Sequence, residues 1–152
     1  MSSSRAATAL SMQTVSETIT GDGWAVGSID GMGDGPGFRK VRRELDVKAF
    51  GVNAVVMPPG YASGPHYHDR QEELYLVHRG EVEFTFGDGE SEEYHVLGPG
   101  GLARVDAATV RRFRNTSDSE EAVYLCVGGE GGYVGRDGRA VEGQAPPVDR
   151  ST

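Results

Sequence analysis

Hydrophobic residues in this chain recur with a period of two over short runs, and glycine or proline ends nearly every run. Val52-Asn53-Ala54-Val55-Val56-Met57 reads as a strand that stops at Pro58-Pro59-Gly60. Between Glu81 and Phe86, Val82, Phe84 and Phe86 fall on one face, with Glu81, Glu83 and Thr85 on the other, the alternation of a half-buried strand. Gly87-Asp88-Gly89-Glu90 follows as a hairpin turn. Further strands are predicted at 66–68, 73–78, 94–97, 102–105, 110–115 and 122–127, with Gly98-Pro99-Gly100-Gly101 and Asn115-Thr116-Ser117-Asp118 as turns between them. Seven or eight short strands, spaced roughly 8–12 residues apart, predict an all-β sandwich or barrel. The strand at 73–78 carries Tyr75 and Val77 on the face of Glu73, and Leu74 and Leu76 on the other. Apolar residues on both faces predict cover on both sides. The interior is one cover; the other is the N-terminal arm or a second subunit, so a homodimer is expected.

Outside this core the pattern fades. Residues 1–17 are rich in Ser, Thr and Ala and are predicted to be poorly ordered. Residues 18–44 form an N-terminal arm containing the glycine-rich stretch 27–37, GSIDGMGDGPG. No Gly-Lys-Ser/Thr follows that stretch, so it reads as a flexible connection rather than a phosphate loop. Residues 45–128 hold the predicted strands of the β domain, and residues 129–152 read as a polar, Gly/Pro-rich tail.

Composition narrows the function. A 152-residue chain is long enough for one domain with a buried core, and its 23 glycines and 7 prolines suit a turn-rich β protein. A formal net charge of −8 argues against nucleic acid or an anionic membrane as partner. No apolar run approaches the roughly 20 residues that span a bilayer, and Met1 to Leu10 lacks the apolar stretch of a signal peptide. Cys126 is alone, which excludes an intrachain disulfide and suggests a reducing, cytoplasmic location.

The candidate chemistry is concentrated in Gly60-x5-His66-x-His68-x4-Glu73-x6-Gly80. Residues i and i+2 of a strand point the same way, so His66 and His68 aim together. Asp69, Arg70 and Gln71 make a polar turn from which the next strand returns Glu73 beside them. This run resembles the first conserved motif of the cupin family, G-x5-HxH-x3–4-E-x6-G, at every fixed position. The resemblance implies a jelly-roll barrel (a double-stranded β-helix) with its site in the mouth, and a divalent metal held by His66, His68 and Glu73. Six residues between Glu73 and Gly80 favour Glu73 as the ligand; the shorter family spacing would give Glu72 instead.

The family's second motif, G-x5-P-x-G-x2-H-x3-N, aligns with Gly100-x5-Asp106-x-Ala108-x2-Arg111-x3-Asn115. Gly100 and Asn115 match, and Arg111 stands where the fourth ligand is expected. Arginine keeps its proton and has no acceptor, so it cannot ligate a metal. Three outcomes are open. Arg111 turns aside and leaves a three-ligand site; or an anionic ligand sits between metal and guanidinium, making Arg111 a substrate clamp; or no metal binds and Arg111 pairs with Glu73 in a bidentate bridge. Two histidines and one carboxylate with open positions suit Fe(II), and also Mn, Ni or Zn.

The other candidates read as structural. Tyr75 shares the Glu73 face and lines the cavity or fills the core. His78 lies on the opposite face, and His95 is in a strand of uncertain register. Tyr67 points away from its histidine neighbours, and Tyr61 sits at the mouth. Phe113 fills the barrel, Asn115 serves the turn, Arg112 and Arg114 face solvent, and Cys126 is a buried small hydrophobe. The reading that follows is a mononuclear metal enzyme, an oxygenase, isomerase or lyase, acting on a small anionic substrate bound by Arg111 and Tyr75. The alternatives are a metal-free barrel that binds an anion through Arg111, and a metal-free enzyme with a histidine base.

Overall fold

The computed structural model describes residues 15–141. In chain order the strands are β1 (Ile19–Gly21), β2 (Trp24–Val26), β3 (Gly37–Arg39), β4 (Gly51–Met57), β5 (His66–His68), β6 (Glu72–Arg79), β7 (Val82–Phe86), β8 (Glu93–Leu97), β9 (Leu102–Val105), β10 (Arg111–Asn115), β11 (Ala122–Gly129) and β12 (Gly138–Ala140). A four-residue helix, α1 (Val41–Glu44), joins β3 to β4. Two five-stranded antiparallel sheets form, in the orders β12-β5-β10-β7-β8 and β3-β4-β11-β6-β9, and β1 and β2 make a separate hairpin. The all-β architecture predicted from the alternation is observed, in the jelly-roll form that the cupin resemblance implies.

The alternating residues meet between the sheets. Val82, Phe84 and Phe113 from one sheet pack against Val55, Met57, Tyr75, Val77, Tyr124 and Cys126 from the other. Tyr75, Phe84, Phe113 and Tyr124 form the centre, with ring centroids 4.9 to 5.9 Å apart, the spacing favoured by edge-to-face aromatic contacts. The motif glycines have a backbone cause: Gly60 and Gly80 hold φ of 71° and 69°, a region that penalises any side chain. At Gly80 a Cβ would also meet the Glu121 carbonyl oxygen at 2.8 Å.

A second apolar cluster lies on the outer face of the β4 side. Ile29, Met32 and Val41 of the N-terminal arm, with Leu45 and Val47 just after it, pack on Val52, Ala54, Leu125 and Val127. The arm thus supplies one of the two expected covers, but over β4 and β11 rather than over β6. Leu74 on β6 remains 44% exposed and Leu102 on β9 61% exposed.

Two sequence expectations need correcting. The region read as a polar tail begins inside β11, and its residues 138–140 pair with β5 in the order Gly138–His68, Arg139–Tyr67 and Ala140–His66. The glycine stretch 27–37 is not a plain connection either, since it contains a 3-10 turn at Ile29–Gly31 and leads into β3. Residues 1–14 and 142–152 lie outside the described residues, and with them most of the terminus expected to be poorly ordered and the end of the predicted tail.

Asn115 serves its turn as expected. Its buried Nδ2 donates to the carbonyls of Met57 (3.2 Å), Pro58 (3.1 Å) and Glu120 (2.8 Å), and its Oδ1 accepts from the Ser117 N–H. Asn115→Ala strands these groups and is expected to lower stability by about 2–4 kcal/mol, from roughly 1–3 kcal/mol per buried group left unsatisfied. Urea denaturation followed by tryptophan and tyrosine fluorescence checks this.

Candidate metal centre

His66 and His68 occupy the three-residue strand β5, where the two-residue period turns both rings inward. Both are buried, at 1% and 3% exposure, and their ring centroids lie 5.5 Å apart. Glu73 comes from β6 in the facing sheet and is 1% exposed. The three residues bring one ligand atom each within 4.8 Å of one another. Glu72, the other candidate carboxylate, is exposed and pairs with Arg104.

Both oxygens of the Glu73 carboxylate have partners. Its Oε2 accepts from the Tyr75 hydroxyl and from Arg111 Nη2, the latter at 3.1 Å. Its Oε1 accepts from Gln71 Nε2 at 2.8 Å and lies 3.2 Å from His68 Nε2. Gln71 reaches this position because its side chain lies across Gly128 of the neighbouring strand, where a Cβ would meet the amide at 2.8 Å.

Arg111 is fully buried at the start of β10, next to His66 in register. Its Nε donates to the Tyr75 hydroxyl oxygen at 3.3 Å. Its Nη1 faces the carbonyl oxygens of Asp106 (3.3 Å), Ala107 (2.9 Å) and Thr109 (2.7 Å). Of the three outcomes open for this residue, the structure has the pairing with Glu73, and it engages one carboxylate oxygen rather than two. The guanidinium therefore takes Oε2 and leaves Oε1 on the histidine side.

The donor set fits a divalent ion. Two ligand atoms each about 2.1 Å from one metal at a right angle lie roughly 3 Å apart, close to the 3.2 Å between His68 Nε2 and Glu73 Oε1. The set has imidazole and carboxylate donors without thiolate, which suits Fe(II), Mn, Ni or Zn. Arg111 neutralises one oxygen of the only carboxylate, which lowers the negative charge available to the ion.

The remaining candidates fall apart from this centre. His78 is exposed on the outer face of β6, and His95 is exposed beside Glu93. Tyr67 is half-buried on the outward side of β5, and Tyr61 packs at the edge of the core. Arg112 and Arg114 face outward to Glu92 and Glu83. Two residues that the sequence reading passed over are drawn in: Gln71, through its amide on Glu73, and Asp137, whose Oδ2 lies 3.7 Å from His68 Nδ1. Gln71 lies in the turn just before β6, two residues ahead of Glu73, a spacing visible in the sequence. Asp137 had no sequence signal, being 64 residues beyond Glu73.

A family model described as a Cupin domain matches residues 53–128. No curated protein matches the chain. Among solved structures, an oxalate oxidase in complex with the substrate analogue glycolate is 18% identical with a TM-score of 0.54, over 61% of this chain and 46% of that one. An uncharacterized conserved protein with a double-stranded β-helix domain from Klebsiella pneumoniae is 21% identical with a TM-score of 0.53, over 62% of this chain and 76% of that one. Drosophila melanogaster CENP-C bound to CAL1 is 20% identical with a TM-score of 0.48, over 51% of this chain and 60% of that one. The chain thus spans less than two thirds of the oxalate oxidase and CENP-C chains, and with the oxalate oxidase and the Klebsiella pneumoniae protein it shares the fold.

Removing one partner of a buried ion pair typically costs about 3–5 kcal/mol. Arg111→Ala is expected to cost at least that, because three backbone carbonyls lose their donor along with Glu73. Arg111→Lys restores the charge but not the fork of donors and is expected to recover less than half of the loss. Chemical denaturation of the two variants beside the parent decides it.

Proposed function

The chain belongs to the cupin family, and on that premise we propose that it binds one divalent metal ion through His66, His68 and Glu73 and uses it on a small anionic molecule. The observation that carries this reading is the convergence of three buried donors from two facing sheets within 4.8 Å. Three protein ligands leave coordination positions open, and a bound metal would supply Lewis acidity or a site for oxygen or substrate at those positions. Oxygenase, isomerase and lyase chemistry are all compatible with such a site, since fold alone does not choose a reaction.

The chain's own residues prepare that site. Tyr75 and Arg111 hold Glu73 Oε2, which fixes the carboxylate plane and turns Oε1 toward His68. Gln71 contributes a donor to Oε1 that has to share it with the ion. In this reading Arg111 and Tyr75 act on substrate through the electrostatics of the Glu73 carboxylate, and direct contact with an anion requires the guanidinium to release a backbone carbonyl. A second reading, a metal-free barrel that binds an anionic molecule through Arg111, is favoured by the cation standing at the strand position of the family's fourth ligand.

Elemental analysis of untagged protein, metal-stripped and then offered Fe(II), Mn, Ni or Zn, separates the two. Near one metal per chain is expected in the parent and none in His66→Ala, His68→Ala or Glu73→Ala; no uptake by the parent under any condition sinks the metal reading. Among the described residues no helix is long and apolar enough to cross a membrane, and a homodimer through the outer face around Leu74 and Leu102 belongs to the same proposal. Light scattering is expected to give twice the chain mass, falling to the single-chain mass in Leu74→Glu/Leu102→Glu.

A further inference from the structure

Metal binding through one imidazole nitrogen fixes which nitrogen carries the proton. In His68 the nitrogen facing Glu73 Oε1 is Nε2, at 3.2 Å. If Nε2 is to offer its lone pair to an ion, the proton must reside on Nδ1, and a buried N–H requires an acceptor. His68 is 3% exposed, so water cannot serve freely. The acceptor nearest Nδ1 among the ion-pair contacts is Asp137 Oδ2, at 3.7 Å.

Asp137 is built into place rather than resting there. It is 8% exposed, and its Oδ2 accepts the backbone N–H groups of Arg70 (2.8 Å) and Gln71 (2.7 Å). Its own carbonyl oxygen accepts from the Asp69 N–H at 3.3 Å. It therefore grips the whole turn that joins His68 to Glu73, including the residue whose side chain donates to Glu73 Oε1. The next residue, Gly138, pairs with His68 across β12 and β5, and a Cβ there would contact the His68 ring at 3.6 Å. The preceding residue, Arg136, holds a left-handed φ of 52°, an uncommon conformation for a side-chain-bearing residue. Arg136, Asp137 and Gly138 lie beyond the residues 53–128 that the family model covers.

The geometry points to Asp137 as the positioning residue for His68: its carboxylate accepts the Nδ1 proton, sets the tautomer that presents Nε2 to a metal, and raises the basicity of that nitrogen. The inference rests on the metal reading above. A carboxylate behind a ligating imidazole orients the ring and strengthens it as a donor, and removing such a partner commonly weakens metal affinity about 10- to 100-fold. At 3.7 Å the two groups stand just outside hydrogen-bond length, and the assignment requires them to approach by several tenths of an ångström.

The test uses Asp137→Asn, which keeps an oxygen for the Arg70 and Gln71 N–H groups while removing the charge. Arg139→Ala is the control. It breaks the exposed 2.7 Å ion pair to Asp69 that joins the same two strands on their outer side, without touching the imidazole. Two readouts apply to each protein: Co(II) affinity, from visible absorption in competition with a chelator, and the His68 tautomer in metal-free protein, from long-range proton–nitrogen NMR. The expected result is an Nδ1–H tautomer in the parent and in Arg139→Ala. Asp137→Asn is expected to shift toward Nε2–H and to bind Co(II) about 10- to 100-fold more weakly. An Asp137→Asn protein with the parent's tautomer and affinity overturns the assignment, as does an Arg139→Ala protein that loses as much. Should the parent bind no Co(II), the metal reading fails. The tautomer then decides the Asp137 assignment alone: Nδ1–H in the parent, lost in Asp137→Asn, upholds it, and any other pattern overturns it.

Discussion

The cross-sheet contact between the Glu73 carboxylate and the Arg111 guanidinium is the constraint on which the rest of this site depends. Both groups are essentially solvent-free, at 1% and 0% exposure. Two charges removed from water are tolerated only when each is paired and its remaining hydrogen-bonding positions are filled. Here they are filled from every side: Tyr75 bridges the pair, Gln71 caps the other carboxylate oxygen, and three carbonyls of the 106–109 loop receive Nη1. One of these carbonyls, Ala107, also accepts the backbone N–H of His68, so the same loop ties β10 to β5. The pair also fixes register. A slip of one residue in β10 would carry Arg112 into the core and Phe113 out of it, losing the ring that packs against Tyr75 and Tyr124.

Much of this was legible because strand periodicity is strict. The HxH spacing put both imidazoles on one face, and the alternation from Glu73 through Tyr75 to Val77 put the carboxylate on the core face with Glu72 outside. Phe113, Asn115, Arg112 and Arg114 fell on the predicted sides for the same reason. The fate of Arg111 was not legible, because its position defines a face but not a partner. Which acceptor a long guanidinium reaches depends on a facing strand and a loop backbone that spacing does not encode. The strands β1, β2, β3 and β12 went unseen because three residues cannot display a period and, unlike the equally short β5, none of them carries a motif. Asp137 went unseen because its neighbours in space are some 67 residues away in the chain.

The N-terminal arm and the barrel share a division of labour. Covering β4 and β11 with Ile29, Met32, Val41, Leu45 and Val47 lets these strands carry apolar residues on both faces, as the run Val52 to Met57 does. β6 is apolar on both faces too, yet its outer side receives no such cover from the described residues. Glu73 is held from the inner side of β6, so the outer side around Leu74 makes none of the side-chain contacts that fix the carboxylate.

The pairing of β12 with β5 has a consequence for the order in which the molecule is made. Strand β5 joins β10 through a single residue pair, Arg111 with His66, and gains its other edge only from residues 138–140. A chain still emerging from the ribosome carries both histidines and Glu73 long before it has the strand that closes over them. Its imidazoles are then held by one short ladder, their rings unsupported by Asp137 and Gly138. The three side chains are thereby brought together with their full backbone support only after residues 138–140 have been made, well after the residues themselves exist in the chain.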